Sequence, residues 1–167
     1  MSCSHLFDLE RIPQADRDRY GPGAFGQHAL LARTLVEEGA PFVMVANGMP
    51  WDSHVFNHEI YQMVVPDLDN IIFQLTKDLE DRGMLEDTLV LCCGEFGRTP
   101  TVELPRPGSN AGKINGRDHN HYGFTMWMAG GGARGGYVHG ATDEFGFQAV
   151  EKKVHVHDLH ATIMALL

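Results

Sequence analysis

The chain is predicted to be an α/β protein with a mostly parallel sheet flanked by helices. Segments with apolar residues at three- and four-residue steps alternate with short, continuously apolar runs, the order that builds strand, helix and strand units. The runs lack the polar alternation of a sheet with one wet face, as expected of strands covered on both sides. Gly39 and Gly83 stop the two long helical segments shortly before the next apolar run begins.

Taken in order, a short polar helix is expected around residues 13–20, closed by Gly21-Pro22-Gly23. Residues 24–38 place Phe25, Ala29, Leu30, Ala32, Leu35 and Val36 near helical spacing. The run 41–46 is the first buried strand, with 47–50 as its exit loop. From 55 to 82, Ile60, Met63, Val64, Leu68, Ile71, Ile72, Leu75 and Leu79 recur at helical steps, and Pro66 marks a kink or the first turn of a second helix. Residues 87–93 form the second strand, and 101–117, rich in Pro and Gly, an irregular loop of the length often used for function. A third strand over 122–129 leads into Gly130-Gly131-Gly132-Ala133-Arg134-Gly135-Gly136. A short strand over 150–156 then enters a final helix over 157–167.

With 167 residues, 43% hydrophobic and 21% charged, the whole chain 1–167 is expected to be a single α/β domain with a real core. The formal charge of −9, from 22 acidic and 13 basic residues, argues against a nucleic-acid backbone or an anionic membrane surface as partner. No apolar stretch approaches the ~20 residues that cross a bilayer. The first residues show no signal-peptide pattern, so the default compartment is cytoplasmic, with export left open if further sequence precedes Met1. Cys92 and Cys93 are neighbours whose side chains point to opposite faces of an extended strand. With Cys3 they are expected to be buried free thiols rather than a disulfide framework.

Three acid and histidine sets follow predicted strands. Asp52 and His54, two residues apart, share one side of an extended segment, and carboxylate with imidazole suits zinc or another first-row cation. Glu95 leaves the second strand between Gly94 and Phe96, and Arg98 carries a guanidinium fork suited to phosphate, sulfate or carboxylate. Glu95 and Arg98 could equally pair with each other. Asp118, His119 and His121 form the densest ligand-type group, beside Arg117. His155, His157 and His160 are expected to be structural, and the 130–136 glycine run a mobile turn, because it lacks the Lys-Ser/Thr ending of a phosphate-binding loop.

Trp51-Asp52-Ser53-His54, Gly94-Glu95-Phe96-Gly97-Arg98-Thr99-Pro100, Gly116-Arg117-Asp118-His119, Ala129-Gly130-Gly131-Gly132 and Asp158-Leu159-His160-Ala161-Thr162 carry a resemblance over 7–167. They resemble the C-terminal half of the sulfatase-like family called domain of unknown function 1501, which is similar to the alkaline phosphatase and sulfatase superfamily. The resemblance implies an alkaline-phosphatase-like fold, incomplete at its N-terminus, whose first strand and Ser or Thr nucleophile would lie before Met1. It implies a metal-dependent hydrolase of sulfate or phosphate esters, and leaves open whether this piece alone is active. The alternative is a non-catalytic metal- or anion-binding or assembly domain. Asp52 and His54 would bind one metal, with His119 or His121 completing the shell. Glu95 would stand at a second metal position, where Phe96 replaces an expected ligand and leaves a single-metal or altered site. Glu95, Arg98 and Arg117 are the implied catalytic residues. Zinc is the first expectation among divalent metals, ahead of calcium, magnesium or manganese. The implied partners are a small anionic ester substrate and a second copy of the chain, paired through an open sheet edge.

Overall fold

Among the described residues, helical spacing and glycine stops translate into four α-helices: α1 (Gln14–Arg19), α2 (Ala24–Glu37), α3 (Asn57–Asp81) and α4 (Val156–Leu166). The computed structural model describes residues 4–48, 51–104 and 115–167. Cys3, the last two residues of the 47–50 exit loop, and positions 105–114 of the long loop lie outside these. Helix α2 shows why its end was legible. Gly39 adopts φ +88°, its N–H donates to the Val36 carbonyl, and the Ala40 N–H donates to that of Leu35. These two bonds satisfy carbonyls the helix leaves open, in the left-handed cap that glycine favours. Helix α3 is continuous, with Pro66 inside it. Helix α4 begins with a reciprocal cap: the Asp158 carboxylate accepts from the His155 N–H at 2.8 Å, and His155 Nδ1 accepts from the His157 N–H at 3.2 Å.

The chain divides into two compact units, one of Met1–Pro50 and Tyr61–Arg82, the other of Trp51–Ile60 and Gly83–Leu167. In the first, Ile12, Tyr20, Ala29, Leu30 and Ile71 form a buried apolar cluster, with Leu9, Phe25 and Leu75 packed against it. Asp78 is buried there, accepting from Arg19 Nη1 at 2.7 Å, Arg33 Nη1 at 2.8 Å and the Tyr20 hydroxyl at 3.1 Å. Burial alone would push its carboxyl up, but the bonds from Arg19, Arg33 and Tyr20 outweigh it and hold the group below the usual carboxylate range.

The described residues of the second unit carry six short strands: β1 (Val90–Cys92), β2 (Gly97–Arg98), β3 (His119–Asn120), β4 (Trp127–Ala129), β5 (Ala141–Thr142) and β6 (Ala149–Glu151). They pair as three separate antiparallel ribbons, β1 with β4, β2 with β3 and β5 with β6. The expected fold class is therefore corrected: the described residues form no mostly parallel, alkaline-phosphatase-like sheet. A continuous apolar run signals a local preference for extended backbone, but parallel pairing also needs a partner strand reached by a crossover. Here β1 finds its partner in β4 instead. Residues 41–46 form no strand, and Phe42 and Met44 are 82% and 78% exposed. The strand expected over 122–129 contracts to β4, and the one expected over 150–156 to β6, which stops where Lys152 turns to φ +44°. The thiols also differ from expectation. Cys92 is half-buried, and burial with the neighbouring Cys93 pushes its thiol up, whereas Cys93 is exposed. Among the described residues no helix is long and apolar enough to cross a membrane.

Candidate metal centre

The ribbon of β2 and β3 sets Arg98 opposite His119. Beyond it, the Thr99 N–H donates to the Asp118 carbonyl at 2.9 Å, and the Asp118 N–H to Thr99 Oγ1 at 3.1 Å. Two further segments lace onto the same stretch: the Arg117 N–H donates to the Ser53 carbonyl at 3.1 Å, and the Glu103 N–H to the Gly116 carbonyl at 2.9 Å. Gly116 is buried against the His54 carbonyl, where even a Cβ atom would overlap it. Glycine at this position is what lets the 51–54 segment approach. Below it, the buried Ser53 Oγ accepts from Asn57 Nδ2 at the start of α3. Four segments distant in sequence thereby present their polar side chains together.

Asp52 Oδ1 is the centre of the cluster. It accepts from Arg98 Nη2 and lies 2.9 Å from His119 Nε2 and 3.0 Å from His54 Nε2. The two Nε2 atoms are 3.2 Å apart. The hydrogen bonds from Arg98 and His119 lower the Asp52 carboxyl to about 2, because both neighbours favour its charged form. On its far side His54 presents Nδ1 at 2.7 Å from Oε2 of Glu103. The Phe96 ring lies against His119 with centroids 4.4 Å apart. Arg98 Nη1 donates to the Arg117 carbonyl at 3.2 Å, and Arg117 Nη1 donates to the Asn115 and Gly116 carbonyls at 3.0 and 3.1 Å.

An oxygen and two imidazole nitrogens, each with a lone pair, thus converge within 3.2 Å of one another. Bonds of about 2.0–2.1 Å to a tetrahedral zinc would separate its ligands by about 3.3–3.4 Å, so the spacing is within a few tenths of an ångström of one face of that shell. With no cation, a single N–H on His119 can serve both Asp52 Oδ1 and His54 Nε2. A cation in that proton's place satisfies all three lone pairs at once.

Of the residues singled out from sequence, Asp52, His54 and His119 come together, with Arg98 on the carboxylate. Arg98 pairs with Asp52 rather than with Glu95. Glu95 sits on an exposed bend after β1, outside the grouped ligand atoms. His121 is also outside them, its ring tilted against that of Tyr122 with centroids 3.9 Å apart. Strand β3 ends at Asn120, whose Oδ1 accepts from the Tyr122 N–H, so the alternation that paired His119 with His121 does not continue. His155, His157 and His160 serve or flank the α4 cap. Sequence reasoning missed Glu103. Its one signal was that it is the sole carboxylate between Thr101 and Arg117.

These features define a domain of helices and short antiparallel ribbons that carries a histidine and carboxylate cluster of metal-ligand type. The chain belongs to the family described as protein of unknown function (DUF1501), which it matches over residues 1–167. No curated protein and no solved structure matches it.

Proposed function

We propose that Asp52, His54 and His119 hold one divalent cation, zinc in the first instance, in a centre that hydrolyses small phosphate or sulfate esters. The observation that carries this reading is the convergence of Asp52 Oδ1, His54 Nε2 and His119 Nε2. Three protein ligands with one open position is the donor count of hydrolytic zinc. Asp52 and His119 are exposed, so the fourth position faces solvent. A cation held there supplies Lewis-acid polarisation to an ester oxygen. Arg98, anchored by the Arg117 carbonyl, and Arg117, anchored by the Asn115 and Gly116 carbonyls, supply fixed positive charge for the remaining oxygens of a phosphate or sulfate. Glu95 and His121 take no metal in this reading.

A second reading, a non-catalytic metal- or anion-binding domain, is favoured by the ion pair of Arg98 with Asp52. That pair engages the guanidinium an ester oxygen would need. Zinc titration calorimetry on protein purified without chelator, followed by assays with an aryl phosphate and an aryl sulfate, separates the two. The hydrolase reading expects one zinc per chain, turnover of at least one ester, loss of both in Asp52→Ala and His119→Ala, and unchanged zinc binding in Glu95→Gln and His121→Ala. Zinc binding without turnover selects the second reading. No zinc binding, or equal binding by the Asp52 and His119 variants, overturns both as metal sites.

A further inference from the structure

The geometry points to Glu103 as a positioning residue that fixes the tautomer and orientation of His54, so that Nε2 faces the centre with its lone pair free. This rests on the metal centre proposed above, but the feature itself is a property of the metal-free protein. An ionised carboxylate only accepts hydrogen bonds. At 2.7 Å, therefore, His54 Nδ1 carries the proton and donates it to Glu103 Oε2. A neutral imidazole has one N–H, which leaves Nε2 bare, and Nε2 is the atom that meets Asp52 Oδ1 and His119 Nε2. Without a partner on Nδ1 the free imidazole ring prefers its proton on Nε2, where it would block a cation.

Glu103 is built for this task. Its side chain is only 8% exposed, and withdrawal from water strengthens a charge-assisted hydrogen bond. Its backbone N–H donates to the Gly116 carbonyl, and Gly116 is the residue packed on the His54 carbonyl. Carboxylate and imidazole are thus carried by one laced piece of backbone. Carboxylates behind ligating histidines orient the ring and raise its basicity. Glu103, Asp118 and His54 also form a group of metal-ligand type. However, two ligands bonded at about 2.0–2.2 Å to one metal lie about 3 Å or more apart, whereas 2.7 Å between His54 Nδ1 and Glu103 Oε2 is a hydrogen-bond length.

The test uses nitrogen-15 shifts of the His54 ring in the metal-free full chain at mildly alkaline pH, together with zinc titration of the same samples. The unaltered protein is expected to show a protonated Nδ1 and a bare Nε2. Glu103→Gln, whose amide oxygen accepts the same bond, keeps that tautomer, while Glu103→Ala moves the proton toward Nε2. Zinc affinity falls on the order of 10- to 100-fold in Glu103→Ala and less in Glu103→Gln. A protonated Nε2 in the unaltered protein, or an unchanged tautomer and zinc affinity in Glu103→Ala, overturns the assignment. Failure of the unaltered protein to bind zinc overturns the metal reading instead, whatever the tautomer.

Discussion

Asp78 and Asp52 are both carboxylates held below their ordinary range, and the difference between them lies in exposure. Asp78 is 2% exposed and is bonded to Arg33, whose side chain is 5% exposed. Removing it leaves the buried Arg33 guanidinium with only its longer contacts to Asp16 at 3.3 Å and Glu37 at 3.4 Å, so Asp78→Ala should cost about 3 kcal/mol in a urea titration. Because its folded pKa is the lower one, the stabilisation is complete above the unfolded value, about 3.9. It is lost as pH falls below that value through the folded one. Stability measured from pH 6 downward should therefore drop more steeply in the unaltered protein than in Asp78→Asn. Equal slopes would show that the network does not depend on the ionised carboxylate. Asp52 is 66% exposed, and surface ion pairs contribute little stability, so its substitutions should act on ligand binding and leave folding nearly intact. From sequence, Asp52, His54, Arg98 and His119 stood out as polar groups beside the ends of predicted strands, although the run 41–46 ahead of Asp52 forms no strand. Glu103 was not, because nothing within its loop reveals that its backbone would pair with Gly116.

At the scale of elements, helices were legible and pairing was not. A helix closes its hydrogen bonds within a few residues, so Leu30, Leu79 and the Gly39 stop reveal it locally. A strand leaves its bonds to a partner far along the chain. The run from Thr88 to Cys93 announced β1 without stating that Trp127–Ala129 would pair with it, or in which direction. The run 41–46 is likewise apolar and finds no strand partner among the described residues. Helix α3 offers a test of local physics. Pro66 is exposed within it, and its ring forgoes the N–H that would bond the Gln62 carbonyl. Pro66→Ala should stabilise the protein by about 1–3 kcal/mol in thermal or chemical unfolding. A loss of stability would show that the helix needs its proline.

At the scale of the whole molecule, all of the metal-ligand cluster lies in the unit of Trp51–Ile60 and Gly83–Leu167, and the Asp78 network lies in the other. Binding that favours the folded state protects what it touches. Hydrogen exchange with and without zinc should thus slow the amides of Thr99, Glu103, Arg117 and Asp118, whose bonds lace the centre. Amides around Leu30 and Leu79 should exchange at the same rate in both samples. Uniform protection, or none at the centre, would count against a local cation site.

Gly116 bears on how such a site would look to a geneticist. It offers no functional group, yet a single methyl there would strike the His54 carbonyl. A saturation library scored on function should rank position 116 with the ligands themselves, while a chemist searching for reactive groups would pass over it. The surest lesion to this centre is one that leaves every one of its side chains in the gene.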